Sequence, residues 1–143
     1  MKKALFIFLV IPFFFTACSK SGDSITAPVT PTPPVVITEA AIAYSIDIDP
    51  GAGNIYASLG ATQAANVNVS SAIPKSGVQI DVITNKDSDG SRVSSSSISS
   101  TTATNAVTIE NLQSGVLCTT TITITSKTTA SNSVVKFFKI ARK

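Results

Sequence analysis

The sequence predicts an all-β domain, a two-sheet antiparallel sandwich of about seven short strands. Three observations predict it. From residue 35 onward apolar residues recur with a period of two and not 3.6. Charged residues are only 13% of the chain while Ser, Thr, Val and Ile abound, the β-prone, polar-uncharged composition of many exported domains. Turn-forming clusters also cut the chain at short intervals, so no amphipathic stretch of ten or more residues is left to serve as a crossover helix. That excludes a parallel α/β sheet and leaves a small closed barrel as the alternative architecture.

The elements follow in order. Ile42, Tyr44, Ile46 and Ile48 alternate with Ala43, Ser45 and Asp47, which sets four apolar side chains on one strand face. Asp49-Pro50-Gly51 ends that strand with turn chemistry. The next runs are Ile55 to Leu59, Val78 to Thr84, Arg92 to Ile98, Val107 to Leu112, Cys118 to Thr125 and Val134 to Ile140. The turns between them are Pro74 to Gly77, Asp87 to Gly90, Gln113 to Gly115 and Ala130 to Ser133. The predicted domain spans residues 35–143, long enough for a single core.

The first 34 residues read differently. Lys2 and Lys3 precede an apolar run from Ala4 to Phe15 and then the small residues Thr16 and Ala17 before Cys18. This is the pattern of an export leader over residues 1–17, and its apolar run is too short for a permanent membrane span. Phe15-Thr16-Ala17-Cys18 resembles the lipobox of bacterial lipoproteins. The resemblance implies cleavage between Ala17 and Cys18 and acylation of Cys18, the covalent lipid being the one prosthetic group expected and the membrane the first partner. Each buried acyl methylene contributes about 0.8 kcal/mol, so several chains make attachment effectively permanent.

Residues 18–34 form the lipidated cysteine and a tether, SKSGDSITAPVTPTPP after Cys18, whose Pro28, Pro31, Pro33 and Pro34 favour polyproline II. At about 3.1 Å per residue such a tether reaches roughly 50 Å. Lys20 and Asp23 resemble the charged signal that sends lipoproteins of the Bacteroidetes to the cell surface. Asp23-Ser24-Ile25 is similar to the O-glycosylation tripeptide of the same group. The expected location is the cell envelope, on the outer membrane, facing the periplasm or the cell surface.

The segment from Ile109 to Ile124, IENLQSGVLCTTTITI, resembles the corner between strands E and F of fibronectin type III and related immunoglobulin-like domains. In those domains a Leu ends one strand, a turn follows, and a Tyr opens the next strand six residues after the Leu. Leu112 and Gly115 match; Cys118 stands at the Tyr position. The resemblance implies an immunoglobulin-like or fibronectin III-like sandwich that binds or spaces, with no particular ligand.

Composition also bears on function. Lys2 and Lys3 leave with the leader, so the eleven Lys and Arg fall to nine against eight Asp and Glu; a charge near +1 argues against nucleic acid. His is absent, which removes the commonest general base and metal ligand. A Ser-Lys dyad through Lys75 or Lys127 is the remaining nucleophile arrangement, and no motif sets either beside a serine. The Ser/Thr run from Ser94 to Thr104 therefore reads as strand and loop, and the protein as no enzyme. Cys118, the thiol left once Cys18 is acylated, reads as a small core residue. Asn85, Asp87 and Asp89, followed by Gly90, match the first half of a calcium loop; the Glu expected at its twelfth position is Ser96. A strand turn asks for the same residues, so no metal is expected. Asp47 and Asp49 could join that turn only if the fold brought them there.

Two functions of different kind remain. One is a lipoprotein displaying a protein-binding or structural module; the other is a glycan-binding accessory lipoprotein of a polysaccharide-uptake system. Glycan binding wants exposed aromatic platforms, and the mature chain has only Tyr44, Tyr56, Phe137 and Phe138. Protein contact can use a bare sheet edge. The last strand, with Lys136 and Lys139 interrupting its apolar run, reads as an edge strand whose lysines restrain strand addition or contact an anionic partner.

Overall fold

The computed structural model describes residues 38–143. The leader expected at 1–17, Cys18, the tether expected to residue 34 and the Asp23-Ser24-Ile25 tripeptide lie outside the described residues. Eight strands make up the fold: β1 (Tyr44–Ile46), β2 (Ile55–Ser58), β3 (Gln63–Val69), β4 (Val78–Lys86), β5 (Arg92–Ser100), β6 (Thr104–Ile109), β7 (Leu117–Ser126) and β8 (Ser133–Arg142). They form a three-stranded sheet in the order β1-β3-β6 and a five-stranded sheet in the order β2-β8-β7-β4-β5. The domain is an all-β, immunoglobulin-like sandwich, antiparallel except where β2 runs parallel to β8.

Alternation builds the core. Val78, Ile80, Val82 and Thr84 of β4 point inward, as do Cys118, Thr120, Ile122 and Ile124 of β7 and Phe138 and Ile140 of β8. They meet Ala65, Val67 and Val69 of β3 and Val107 and Ile109 of β6. Burying each of the larger aliphatic side chains stabilises the fold by roughly 1.5–3 kcal/mol. Two inward threonines, Thr84 and Thr120, sit directly opposite each other and share a buried hydrogen bond of 2.9 Å, which removes the cost of burying either hydroxyl alone. Tyr44 of β1 crosses the core, and its hydroxyl donates to the carbonyl of Ile122 at 2.6 Å, tying the small sheet to the large one.

The structure differs from the sequence reading in three places. β3, with the sequence QAANVNV, was absent from the expected runs because Ala and Asn are poor strand formers. Its inward Ala65, Val67 and Val69 are buried all the same, held between β1 and β6. The first strand is only Tyr44–Ile46, since the chain leaves the small sheet at Asp47 and re-enters the large one as β2. Finally, β8 is not the outermost strand: β2 pairs with its far end, from Ile55 opposite Lys139 to Ser58 opposite Arg142. The expected corner after β6 is a turn through Asn111 (φ 60) and Gly115 (φ 73), left-handed conformations that Asn and Gly tolerate. Leu112 is buried beneath that turn.

Candidate functional site

Because β2 is short, β8 is capped over only part of its length. The Lys143 N–H donates to Ser58 of β2 at 3.0 Å, while the Arg142 carbonyl accepts from Gly115 on the β7 side. Pairing of β8 with β7 is unbroken from Leu117–Ala141 to Thr125–Ser133. Backbone groups alternate in direction along a strand, so those of Val135 and Phe137 point away from β7. β2 starts opposite Lys139, so Ser133–Phe138, roughly 20 Å of strand at about 3.3 Å per residue, is an uncapped sheet edge.

The same stretch carries apolar surface. Phe137 is 70% exposed and Val135 56%, on the outer face of the sheet, with Ile55 and Leu117 exposed beside them. These residues line one side of a groove of about 640 Å³ whose other wall is the loop from Asp49 to Asn54. That loop carries the chain from one sheet to the other and stands off β8 because it is bonded to itself. Gly51 N–H donates to Asp49 Oδ1 (3.0 Å), the Asn54 N–H to the Gly51 carbonyl (3.2 Å) and Asn54 Nδ2 to the Pro50 carbonyl (3.0 Å). Positive φ angles at Gly51 and Gly53 let the chain turn this tightly.

The two lysines of β8 take opposite faces. Lys136 shares the inward row with Val134 and Phe138 and is half-buried. Its ammonium donates to the Tyr44 carbonyl at 2.5 Å and lies 5.1 Å from the centroid of the Tyr44 ring, a cation–π contact. Lys139 is on the outer face and pairs with Asp87, the sole ion pair among the described residues. The expectation that both lysines stand free in solvent on an edge is corrected for each: Lys139 lies opposite Ile55 of β2 and is paired with Asp87, and Lys136 takes the position of the inward-pointing charge used to guard sheet edges. Burial pushes the Tyr44 phenol up to about 12, partly opposed by the Lys136 backbone.

The remaining candidates resolve into local structure. Asp87 accepts from Lys139 and from the Thr119 hydroxyl (2.6 Å), and these bonds, the lysine's foremost, hold its carboxyl below the usual range. Asp89 accepts from the Ser91 N–H at 2.9 Å, and its hydrogen bonds to Ser91 lower it too. Asn85 lies within β4, paired with Thr119 and Arg92. Asp47 binds the backbone and side chain of Asn66, so neither it nor Asp49 joins the Asp87 turn; no group of three His, Cys, Asp or Glu converges among the described residues. Lys127 Nζ comes within 3.5 Å of Ser99 Oγ, a contact that no motif indicated, but both are exposed and the Ser99 hydroxyl donates to Gln79 Oε1. Cys118 is fully buried, and burial, then the nearby Asp87 carboxylate, pushes its thiol up.

The groove on β8 is thus where unpaired backbone and exposed apolar side chains coincide. Comparison with protein-family models and with curated proteins finds no match for this chain. The site must be read from its own chemistry. Sequence reasoning found the strand and both lysines but missed the groove, because the loop and β2 that shape it lie about 80 residues away in the chain. The one available signal was the Pro-Gly-Ala-Gly stretch at residues 50–53, which marks a strand that breaks and restarts.

Proposed function

We propose that this protein is a membrane-anchored, non-catalytic lipoprotein that displays a β-sandwich as a protein-binding module at the cell envelope. The observation that carries the binding role is the uncapped half of β8 beside exposed Val135 and Phe137, since strand addition draws affinity from backbone groups and specificity from alternate side chains. The anchoring role is supported by the leader and Cys18. The glycan alternative is less well supported: Phe137 is the one strongly exposed aromatic among the described residues, Tyr44 and Phe138 being buried and Tyr56 half-buried.

Two measurements test this. Cys18→Ser should leave the chain unacylated and release it from the membrane fraction; an unacylated chain that still partitions with membranes overturns the anchoring. For binding, the full chain serves as bait on solubilised envelopes beside Val135→Pro, which removes an N–H that β7 does not use and is tolerated at an edge. A protein retained by the wild type and lost from the folded variant is the expected result. Identical captures overturn the assignment of binding to this edge.

A further inference from the structure

We infer that the uncapped half of β8 receives an extended segment of another protein with an apolar–acidic–apolar core, and that Lys136 reads the acidic residue. This rests on the reading of the domain as a protein-binding module and adds the chemistry of the partner.

The register dictates the pattern. A strand added to β8 bonds to the outward-turned backbone of Val135 and Phe137, so its side chains flanking Lys136 fall on the outer face. There Val135 and Phe137 are 56% and 70% exposed, and apolar side chains, β-branched ones especially, are the favourable neighbours. The residue between them points inward, toward Lys136. In an antiparallel pairing this is the non-hydrogen-bonded kind of pair, whose side chains approach most closely. Lys136 lines the groove. Its ammonium gives one hydrogen bond to Tyr44 and has no carboxylate partner among the described residues, while an ammonium has three donors. Its half-buried setting screens it less than a surface charge.

Neighbouring charges are consistent with this choice. Lys139 is already paired with Asp87, so it does not compete for the incoming acid. Asp49, the carboxylate on the opposite wall, accepts the Gly51 N–H; it opposes an incoming acid, so the attraction must come from Lys136. Charge also argues against a second copy of this chain as occupant. Two β8 strands paired about Lys136, the register that opposes Val135 with Phe137, set the two lysines face to face, and like charges directly opposite destabilise a ladder.

The test titrates the full chain with two labelled peptides, Thr-Ser-Thr-Val-Glu-Val-Thr-Ser-Thr and the same peptide with Lys for Glu, followed by fluorescence anisotropy. The Glu peptide should bind about ten-fold more tightly or better. Lys136→Glu should reverse the order, Lys136→Thr should abolish the preference, and Val135→Pro should weaken both peptides, with circular dichroism confirming that each variant folds. Equal binding of the two peptides, or a preference for Glu that survives in Lys136→Glu, overturns the inference. So does sedimentation showing a dimer of the chain that Val135→Pro dissociates, which makes a second copy the occupant. If the Glu peptide fails to bind while Val135→Pro still loses its envelope partner, the recognition chemistry is wrong and the binding edge stands. If the partner is also unaffected, both fall.

Discussion

Tyr44→Phe removes one hydroxyl and so isolates one of the bonds that join the two sheets. The phenol donates to the Ile122 carbonyl at 2.6 Å in the buried core. Ile122 is opposite Lys136, where the backbone alternation faces their groups toward each other, so the carbonyl keeps a ladder partner when the phenol goes. The loss at neutral pH should therefore be that of a single hydrogen bond, about 1 kcal/mol. Alkaline pH changes its sign. Burial raises the folded-state pKa from 10.0 to about 12, so the native state holds its proton where the unfolded chain has released it. The stability this contributes is complete below the unfolded value and is lost as pH rises through the folded one. Two pH units at about 1.36 kcal/mol each amount to roughly 2.7 kcal/mol. The advantage of wild type over Tyr44→Phe should thus shrink above pH 10, vanish near about pH 11 and become a deficit of about 1.5 kcal/mol by pH 12 and beyond. Urea unfolding of both proteins across pH 8 to 12 measures the difference. A difference that stays flat across that range refutes the argument that burial governs Tyr44.

Three further outcomes follow from the same core. In the Cys18→Ser chain, Cys118 should react with a thiol reagent at the rate of global opening, because it is fully buried and its thiol is pushed up by burial; rapid native labelling contradicts this placement. Thr120→Val should cost about 1–3 kcal/mol by leaving Thr84 without its buried partner, whereas Thr84→Val with Thr120→Val should be close to neutral. Additive losses in chemical denaturation of the two single and the double variant would refute that pairing. Gly77→Ala should destabilise by about 2 kcal/mol or more, as its φ is +81 and an added Cβ falls 2.4 Å from the Ser100 carbonyl oxygen; a melting temperature unchanged from wild type overturns it.

The most legible strands were those with several large inward residues. β4 alternates Val78, Ile80 and Val82, β7 carries Ile122 and Ile124, and β8 carries Val134, Phe138 and Ile140 in one row, and the interior placement of these residues follows from that alternation. β3 alternates Ala65, Val67 and Val69 with Asn66 and Asn68, but Ala and Asn are poor strand formers, and only the neighbours that bury its inward row make it a strand. The Asp87 turn looked like half of an ion site because a hairpin and a calcium loop use the same residues. The ladder partners Thr119 and Lys139, which engage Asp87, are 32 and 52 residues away.

The sequence by itself determined the all-β class, since a period of two with turns at short intervals can bury its apolar face only against a second sheet or inside a closed barrel; the structure decided for two sheets. It also determined that Cys118 has a core position on its strand. Which strand caps which was decided only by tertiary structure. The half of the β8 edge with the stronger strand-forming sequence, Ser133–Phe138, is left open, while Lys139–Arg142 is covered by β2. The reason is the short reach of β2 after the Asp49 to Asn54 loop, which is a matter of long-range pairing and not of local preference. The same holds for the lysines: alternation sets Lys136 and Lys139 on opposite faces, but the Tyr44 carbonyl and the Asp87 carboxylate that receive them come from distant strands and turns. Local propensity selects the elements, and the burial of their common face selects their neighbours.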